Sequence, residues 1–310
     1  MICKPMDVLE NYEIRKTEKQ KSGFISAITD YVQTLGYDAK IEKGIFGVRN
    51  IVMGDPEKAE YLLTAHYDTP ASIGLPNFIT PCNPVTFFLF QFLIAGGLLG
   101  ICLAIAFGVF ALTNDLMAAY LSWYFLYVGI LVLMMVGPAN RHNANDNTSG
   151  VVTVLEIMAT LPENLRDKVC FVLFDLEEAG LIGSGAYRKL HKTATQKQIV
   201  LNMDCVGDGD VIQFAPVRKA KKDKALLEKI STICGKVGNK ELRLRAEGFT
   251  ACPSDHKNFP LGVGVMAFRY HKNIGLYCGR IHTYRDKILE QTNVNILRAA
   301  LITLIGSTDK

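Results

Sequence analysis

The chain has 310 residues, with 34 Lys and Arg against 30 Asp and Glu and a formal net charge of +4 at pH 7. That charge is too mild to suggest a nucleic-acid partner. Its eight cysteines are scattered with no C-x-x-C pair, which argues against a structural zinc site or a disulfide framework and fits a reducing compartment.

The first stretch, "MICKPMDVLENYEIRKTEKQ", lacks the apolar core of a cleavable signal peptide. The next informative run is "EYLLTAHYD", an apolar strand ending at His66 and Asp68. These two are two apart on a strand and so point to one face.

A long apolar region follows. Between Asp68 and Arg141 the one charged residue is Asp115. Residues 85–112 and 118–136 form two apolar runs, and about 20 apolar residues suffice for a helix to cross a bilayer. The short link "TND" lets one helix turn back on the other. The pattern predicts a transmembrane helical hairpin over 85–137. Gly96, Gly100, Ala104 and Gly108 fall four apart, a spacing that predicts close helix pairing within the hairpin or between subunits of a homo-oligomer. Tyr120, Trp123, Tyr124 and Tyr127 crowd the start of the second run, as an aromatic belt would. The link carries no Lys or Arg while Arg141 follows the second run. The positive-inside rule then puts both hairpin ends on the cytoplasmic side. A lipid bilayer is therefore an expected partner.

Beyond the hairpin, "NANDNTSG" places Asp146 just before a helix expected over 150–161. Alone it reads as a turn or N-cap aspartate. "KVCFVLFDLEE" is a second strand ending at Glu177 and Glu178, and "QIVLNMD" a third ending at Asp204. A helix is expected over 225–237. The basic cluster Arg218, Lys219, Lys221, Lys222 and Lys224 ahead of it reads as a solvated helix start, with anionic lipid as the alternative contact. "SDHKNFP" carries Asp255 and His256, and "GLYCGRIHTYRD" carries His282. His142, His191 and His271 have no motif around them and read as surface residues. Cys205 and Cys278 read as small packing residues.

Strands alternating with helices predict an α/β fold, a mostly parallel twisted sheet with helices on both faces. It is discontinuous, residues 1–84 and 138–310 around the hairpin insertion of 85–137. In such sheets, sites form beyond the carboxyl ends of the strands, where these polar residues sit. Mixed histidine and carboxylate donors without cysteine point to a catalytic metal. A carboxylate can bridge two metals, and such pairs activate water for hydrolysis.

The motifs "AHYD", "NDNTSG", "LEEAGLIGSGAY", "NMDCVGDGD", "SDH" and "IHTYRD" occur in the order found in the M28 family of zinc peptidases, which this chain resembles from about residue 61 onward, hairpin excluded. The resemblance implies a di-zinc hydrolase, with Co2+ or Mn2+ as other candidate metals. It implies that His66 and Asp204 hold one zinc, Glu178 and His282 the other, and that Asp146 bridges them. It assigns catalytic roles to Glu177, as general base, and to Asp68, which orients His66. Asp255 and His256 border the substrate pocket of a peptide, most simply an aminopeptidase substrate. Two alternatives stay open, a glutaminyl cyclase-like acyltransferase and a catalytically inactive membrane binding protein on the same fold. The chain departs from the family in separating His66 from Asp146 by the hairpin.

Overall fold

The computed structural model describes residues 2–72 and 74–307. Ten strands follow in chain order: β1 (Ala39–Lys43), β2 (Arg49–Met53), β3 (Tyr61–His66), β4 (Val169–Phe174), β5 (Ile199–Met203), β6 (Val211–Pro216), β7 (Gly235–Val237), β8 (Lys240–Leu244), β9 (Gly262–His271) and β10 (Gly275–Tyr277). The helices are α1 (Asp7–Tyr12), α2 (Glu18–Thr34), α3 (Pro84–Thr113), α4 (Leu116–Val136), α5 (Ser149–Thr160), α6 (Ile182–Leu190), α7 (Lys224–Ser231) and α8 (Gln291–Gly306).

The strands form one mixed sheet in the order β1-β2-β4-β3-β5-β9-β6-β8-β7, with β10 paired to β9. Its centre, β4-β3-β5-β9, is parallel, and antiparallel strands flank it on either side. Strands buried on both faces lose the alternation of a half-exposed strand, and every residue of β3 and β4 is buried. Alternate side chains still go to opposite faces. Leu63, Phe171 and Leu173 join a large core with Phe24 and Ile28 of α2, Val154 and Leu155 of α5, and Leu297 and Leu301 of α8. Leu62, Cys170 and Val172 join a smaller one with Tyr187 of α6 and Phe259. Helices therefore cover both faces, as the sequence predicts.

The helix expected over 225–237 ends early. It stops at Ser231, and β7 pairs antiparallel with β8. The connecting turn contains Gly238 at φ 63°, a left-handed conformation that glycine adopts without strain and that makes a tight hairpin. The basic cluster lies where expected, at a solvated helix start, with Arg218, Lys219, Lys222 and Lys224 exposed.

The apolar region forms two helices of 30 and 21 residues, α3 and α4, both long and apolar enough to cross a membrane. Asn114 at φ 51° makes the turn, and the Asp115 carboxylate caps α4 by accepting the N–H groups of Met117 and Ala118 at 2.8 and 3.1 Å. Among the described residues of the two helices only Cys102 and Ala119 are buried. The glycine face does not make the α3–α4 contact. A Cβ built at Gly96, Gly100 or Gly108 meets no atom within 4 Å, so the small residues face away from α4. The close pairing within the hairpin that their spacing predicts is absent among the described residues.

The hairpin's ends are stitched together beneath it. Ser72 N–H donates to the Pro138 carbonyl at 2.8 Å and Asn140 N–H to the Pro70 carbonyl at 2.9 Å. The strand leaving His66 and the strand returning to Asp146 are thus paired. On the other side, Ile79 and Cys278 exchange two backbone hydrogen bonds. Lys16 Nζ donates to the Met135 carbonyl at the end of α4, 3.0 Å away.

Candidate metal centre

Three neighbouring parallel strands, β4, β3 and β5, end side by side, and the donors sit at or just beyond their carboxyl ends. β3 ends at His66, β5 is followed by Asp204, and β4 leads through Asp175 to Glu177 and Glu178. The loop before α5 brings Asp146 and the loop after β10 brings His282.

The distances converge on Asp146. Its Oδ1 lies 3.3 Å from His66 Nε2, and its Oδ2 lies 3.0 Å from His282 Nε2. Asp204 Oδ1 is 3.8 Å from His66 Nε2, and Glu178 Oε2 is 3.8 Å from His282 Nε2. Two donor sets result, His66–Asp146–Asp204 and Asp146–Glu178–His282, each with its ligand atoms within 4.8 Å of one another. Donors about 2.0–2.2 Å from a tetrahedral zinc lie about 3.3–3.6 Å apart, and the separations of 3.0–3.8 Å bracket that spacing. A further grouping, His66–Glu177–Glu178, meets the same test. The seven residues predicted from sequence as ligands, base and orienting carboxylate are all brought together.

Asp68 links the two halves of the site. Its Oδ1 is 3.5 Å from His66 Nδ1. The same carboxylate accepts the N–H groups of Glu177 at 3.0 Å and Glu178 at 3.2 Å. One side chain thus fixes both a histidine ring and the turn that carries the two glutamates. The start of α6 presses close behind that turn, since a Cβ on Gly183 would lie 2.0 Å from the Asp175 carbonyl oxygen. This gives the second of the three glycines in "GLIGSGAY" a steric reason. Four of the six described non-glycine residues with positive φ, namely Leu176, Leu181, Cys205 and His282, lie in these donor loops. Such strain collects where the surrounding structure must aim a functional group.

A second layer holds the first. Asp286 accepts the N–H groups of Asn145 at 2.8 Å and Asp146 at 2.9 Å. The Asn145 side chain accepts from Gly207 and Asp208 N–H, which ties the Asp146 and Asp204 loops together. Arg15 is wholly buried and donates to the Tyr67 carbonyl and to Thr148 Oγ1. It reaches from the N-terminal segment to both flanks of the site. Lys21 pairs with Asp175 at 2.5 Å, and both are buried. Asp286, Arg15 and the Lys21–Asp175 pair are absent from the sequence reading, although Asp286 closes the quoted "IHTYRD". The partners named here are more than 50 positions away in the chain, beyond any local pattern.

The metal-free site holds more negative charge than it can comfortably keep. Burial pushes Glu178 up to about 8, with Asp146 and Asp68 adding to it and the two histidines opposing. Glu177 is raised well above the usual carboxylate range by burial, then by Glu178 and Asp255. Burial alone would lower His282, but Glu178 and Asp146 carry it up to about 9. His66 is likewise raised, against burial, by Glu177 and its contacts with Asp146 and Asp204. Burial and Asp146 push Asp286 up to about 7. Buried carboxylates crowded around two histidines are the donor chemistry that cations relieve, and the residues fit a metal pair.

Asp255 and His256 are fully buried beside this cluster. Both Asp255 oxygens and both His256 ring nitrogens lack a hydrogen-bond partner among the described residues. Burial holds Asp255 up to about 7. Cys205 and Cys278 pack into an apolar cluster with Val211, Met266 and Ile281. Burial pushes Cys278 up to about 12, which makes it a packing residue and a poor nucleophile. His191 is not a surface residue. It is buried between Glu57 Oε1 at 2.7 Å and Glu42 Oε1 at 2.9 Å, partners too distant in sequence to form a motif. His142 is half-buried and His271 exposed.

The model of peptidase family M28 matches residues 130–304, more than half of the chain. That match starts inside α4, so His66 and Asp68 lie outside it. No curated protein matches. Among solved structures, a glutaminyl cyclase from Porphyromonas gingivalis is similar with TM-score 0.58 and 16% identity, over 97% of this chain and 96% of that one. A Zn-dependent exopeptidase from Parabacteroides distasonis gives TM-score 0.59 and 14% identity over 98% and 97%. An aminopeptidase from Legionella pneumophila gives 0.54 and 14% over 99% of this chain and 69% of its own. At these identities the likeness is one of fold.

Proposed function

The chain belongs to peptidase family M28, and from that premise we propose that it is a membrane-anchored aminopeptidase that works with two zinc ions, Co2+ or Mn2+ being substitutes. The observation that supports this most is the place of Asp146, whose two oxygens face two histidines on opposite sides. Bound zinc would polarise the scissile carbonyl and lower the pKa of the attacking water.

The chain's own residues do the rest. His66 and Asp204 would hold one ion, Glu178 and His282 the other, and Asp146 both. Glu177 is half-buried beside the donors, placed to take the proton of the attacking water and hand it to the leaving amine. Asp68 holds His66 and the backbone of Glu177 and Glu178 in register. Asp255, whose carboxylate oxygens meet no hydrogen-bond criterion among the described residues, is an acceptor for the substrate's α-ammonium group, and His256 packs beside it in the pocket wall.

In this reading residues 1–84 and 138–310 are the metallopeptidase domain and the inserted hairpin is its anchor, with the catalytic domain on the cytoplasmic side. The support for the anchor is physical. Of 30 large apolar side chains exposed among the described residues, 24 lie in the hairpin. At about 1.5 kcal/mol or more for each fully buried side chain, leaving them in water forgoes on the order of tens of kcal/mol, more than the roughly 5–15 kcal/mol that holds a domain folded.

One observation favours a second reading. Asp255, held near 7 next to Glu177, could pass a proton during cyclisation of an N-terminal glutamine. A single experiment separates the two. Detergent-purified protein, with zinc or chelator, is incubated with peptides carrying free, acetylated or glutaminyl N-termini, and products are read by mass spectrometry. Loss of single N-terminal residues from free peptides, abolished by chelator, is the expected result. Loss of ammonia from glutaminyl peptides alone moves the assignment to a cyclase, and absence of any product removes both.

A further inference from the structure

Next to the loop that carries His282 is a cavity of about 180 Å³. Phe78 and Tyr277 line it, with three arginines, Arg269, Arg280 and Arg285. No metal donor lines it. The carboxylate in its wall is Asp208, whose side chain is 5% exposed. Asp208 Oδ1 accepts from Arg269 Nε at 2.8 Å, and Oδ2 accepts from Arg280 Nη1 at 2.9 Å. Asp210, which also acts on Arg269, is itself paired with Lys240. Three guanidinium groups face one lining carboxylate, so the cavity carries an excess of positive charge. Arg285 is exposed, and its guanidinium has a 3.4 Å hydrogen bond to Tyr284 Oη and lies 5.6 Å from that ring's centre, with no carboxylate partner among the described residues. Each guanidinium offers a planar fork of N–H donors, and Asp208 occupies only part of them.

The cavity's place in the fold says which anion would meet it. The segment leading into α3 forms part of its wall. Ile79 pairs with Cys278 through two backbone hydrogen bonds, and the Phe78 ring lies against Gly279. The same ring is 5.7 Å from the Tyr277 ring and 5.8 Å from that of Phe90, in the second turn of α3. Asn83, the N-cap of α3, donates to the Ile274 carbonyl in the β9–β10 turn at 3.4 Å. The cavity therefore sits where α3 leaves the body. If α3 enters a bilayer, that level is the headgroup layer, flanked by aromatic rings as membrane interfaces are.

We propose that this arginine cavity binds the phosphate of an anionic phospholipid headgroup at the foot of the hairpin. Arginine forks match phosphate oxygens in pairs, and a cytoplasmic leaflet rich in anionic lipid attracts basic groups held at its surface. Lys16 donates to the last turn of α4 and Arg141 follows that helix in the chain, so the other foot of the hairpin also carries basic residues. A lipid held here abuts the loop bearing His282, so it steadies one metal donor while anchoring the chain. The proposal rests on the membrane reading of the hairpin.

The test uses detergent-purified full-length protein titrated with dihexanoyl phosphatidylglycerol, dihexanoyl phosphatidylcholine, glycerol 3-phosphate and a glutamate-rich peptide, with binding followed by calorimetry and native mass spectrometry. Phosphatidylglycerol is expected to bind one per chain and more tightly than the other three. Arg280→Gln and Arg285→Gln should each weaken it about fivefold, and Arg280→Lys less than Arg280→Gln. Arg280 also holds Asp208, whereas Arg285→Gln, exposed and free of that contact, carries the test by itself. Unchanged phosphatidylglycerol binding in Arg285→Gln overturns the proposal. Glycerol 3-phosphate binding as tightly as the lipid would make this a site for free phosphate, and displacement of the lipid by the acidic peptide would make it a substrate subsite. Alkaline carbonate extraction of membranes separates the two failures. Release of the protein removes the anchoring reading, whereas retention without a phosphatidylglycerol preference removes the cavity's role alone.

Discussion

Helices α3 and α5 are both apolar, yet nine of the twelve residues of α5 are buried and one of the thirty of α3 is. α5 spends its apolar side chains on the core that supports the metal donors, packing under β3, β4 and β5. α3 offers the same chemistry to the outside. The same kind of residue is placed in two different surroundings, and under the proposed anchoring the body and the hairpin suit different solvents. The two are nonetheless joined at short range. The linkers that leave His66 and return to Asp146 pair with each other, and the linker into α3 pairs with the loop bearing His282.

The largest effect that would sharpen this contrast is at the centre. Glu177→Gln is expected to lower turnover about 10²–10⁴-fold with metal content unchanged, as elemental analysis would check. Asp146→Asn should lose metal as well as activity, because both donor sets share that side chain. In the hairpin, Leu103, 52% exposed, gives a test with opposite outcomes in the two solvents. Leu103→Arg at such a site costs little in water, but in a bilayer about 2.5–3.5 kcal/mol at mid-helix. Reduced membrane insertion in a fractionation assay is expected. Normal insertion or a fully soluble active product would break the comparison.

The pH dependence follows from the raised groups. Glu178 at about 8, Asp286 at about 7 and His282 at about 9 bind more protons folded than unfolded, so the stability of the metal-free protein falls as pH rises from about 5 to about 9. Metal takes the place of those protons. The rise in melting temperature on adding zinc should therefore be larger at pH 8 than at pH 6, and equal rises would remove this account of the site's charge. The smallest effect is expected from Gly100→Leu. Its Cβ direction is open, so the monomer should change by about 0.5 kcal/mol or less. A clear shift in oligomeric state by size-exclusion in detergent would mean that the glycine face packs on a second copy.

Much of this was readable in the sequence because the sheet obeys a rule. Strands that end at His66, Asp204 and the Glu177–Glu178 turn run parallel and adjacent, so their ends had to meet. The hairpin was readable because a charge-free run of that length has few other uses. What was hidden is what depends on distant partners. Asp286 matters through backbone groups 140 and 141 positions away, Arg15 through Thr148, 133 away, and His191 through Glu42 and Glu57, 149 and 134 away. The glycine spacing was legible as a pattern but not as a contact, because a small-residue stripe states that a helix can be approached and not by what. The β7–β8 hairpin was lost for a related reason, since a helical pattern through Ile230 masked the turn at Gly238.

The central claim is that Asp146 bridges two metal ions which Glu177 serves as base. The most direct test is elemental analysis joined to turnover, on wild-type and Glu177→Gln protein purified in detergent and loaded with zinc. The account predicts two zinc ions per chain in both and peptide turnover in the wild type alone. One ion per chain, or a Glu177→Gln variant that turns over at the wild-type rate, would contradict it.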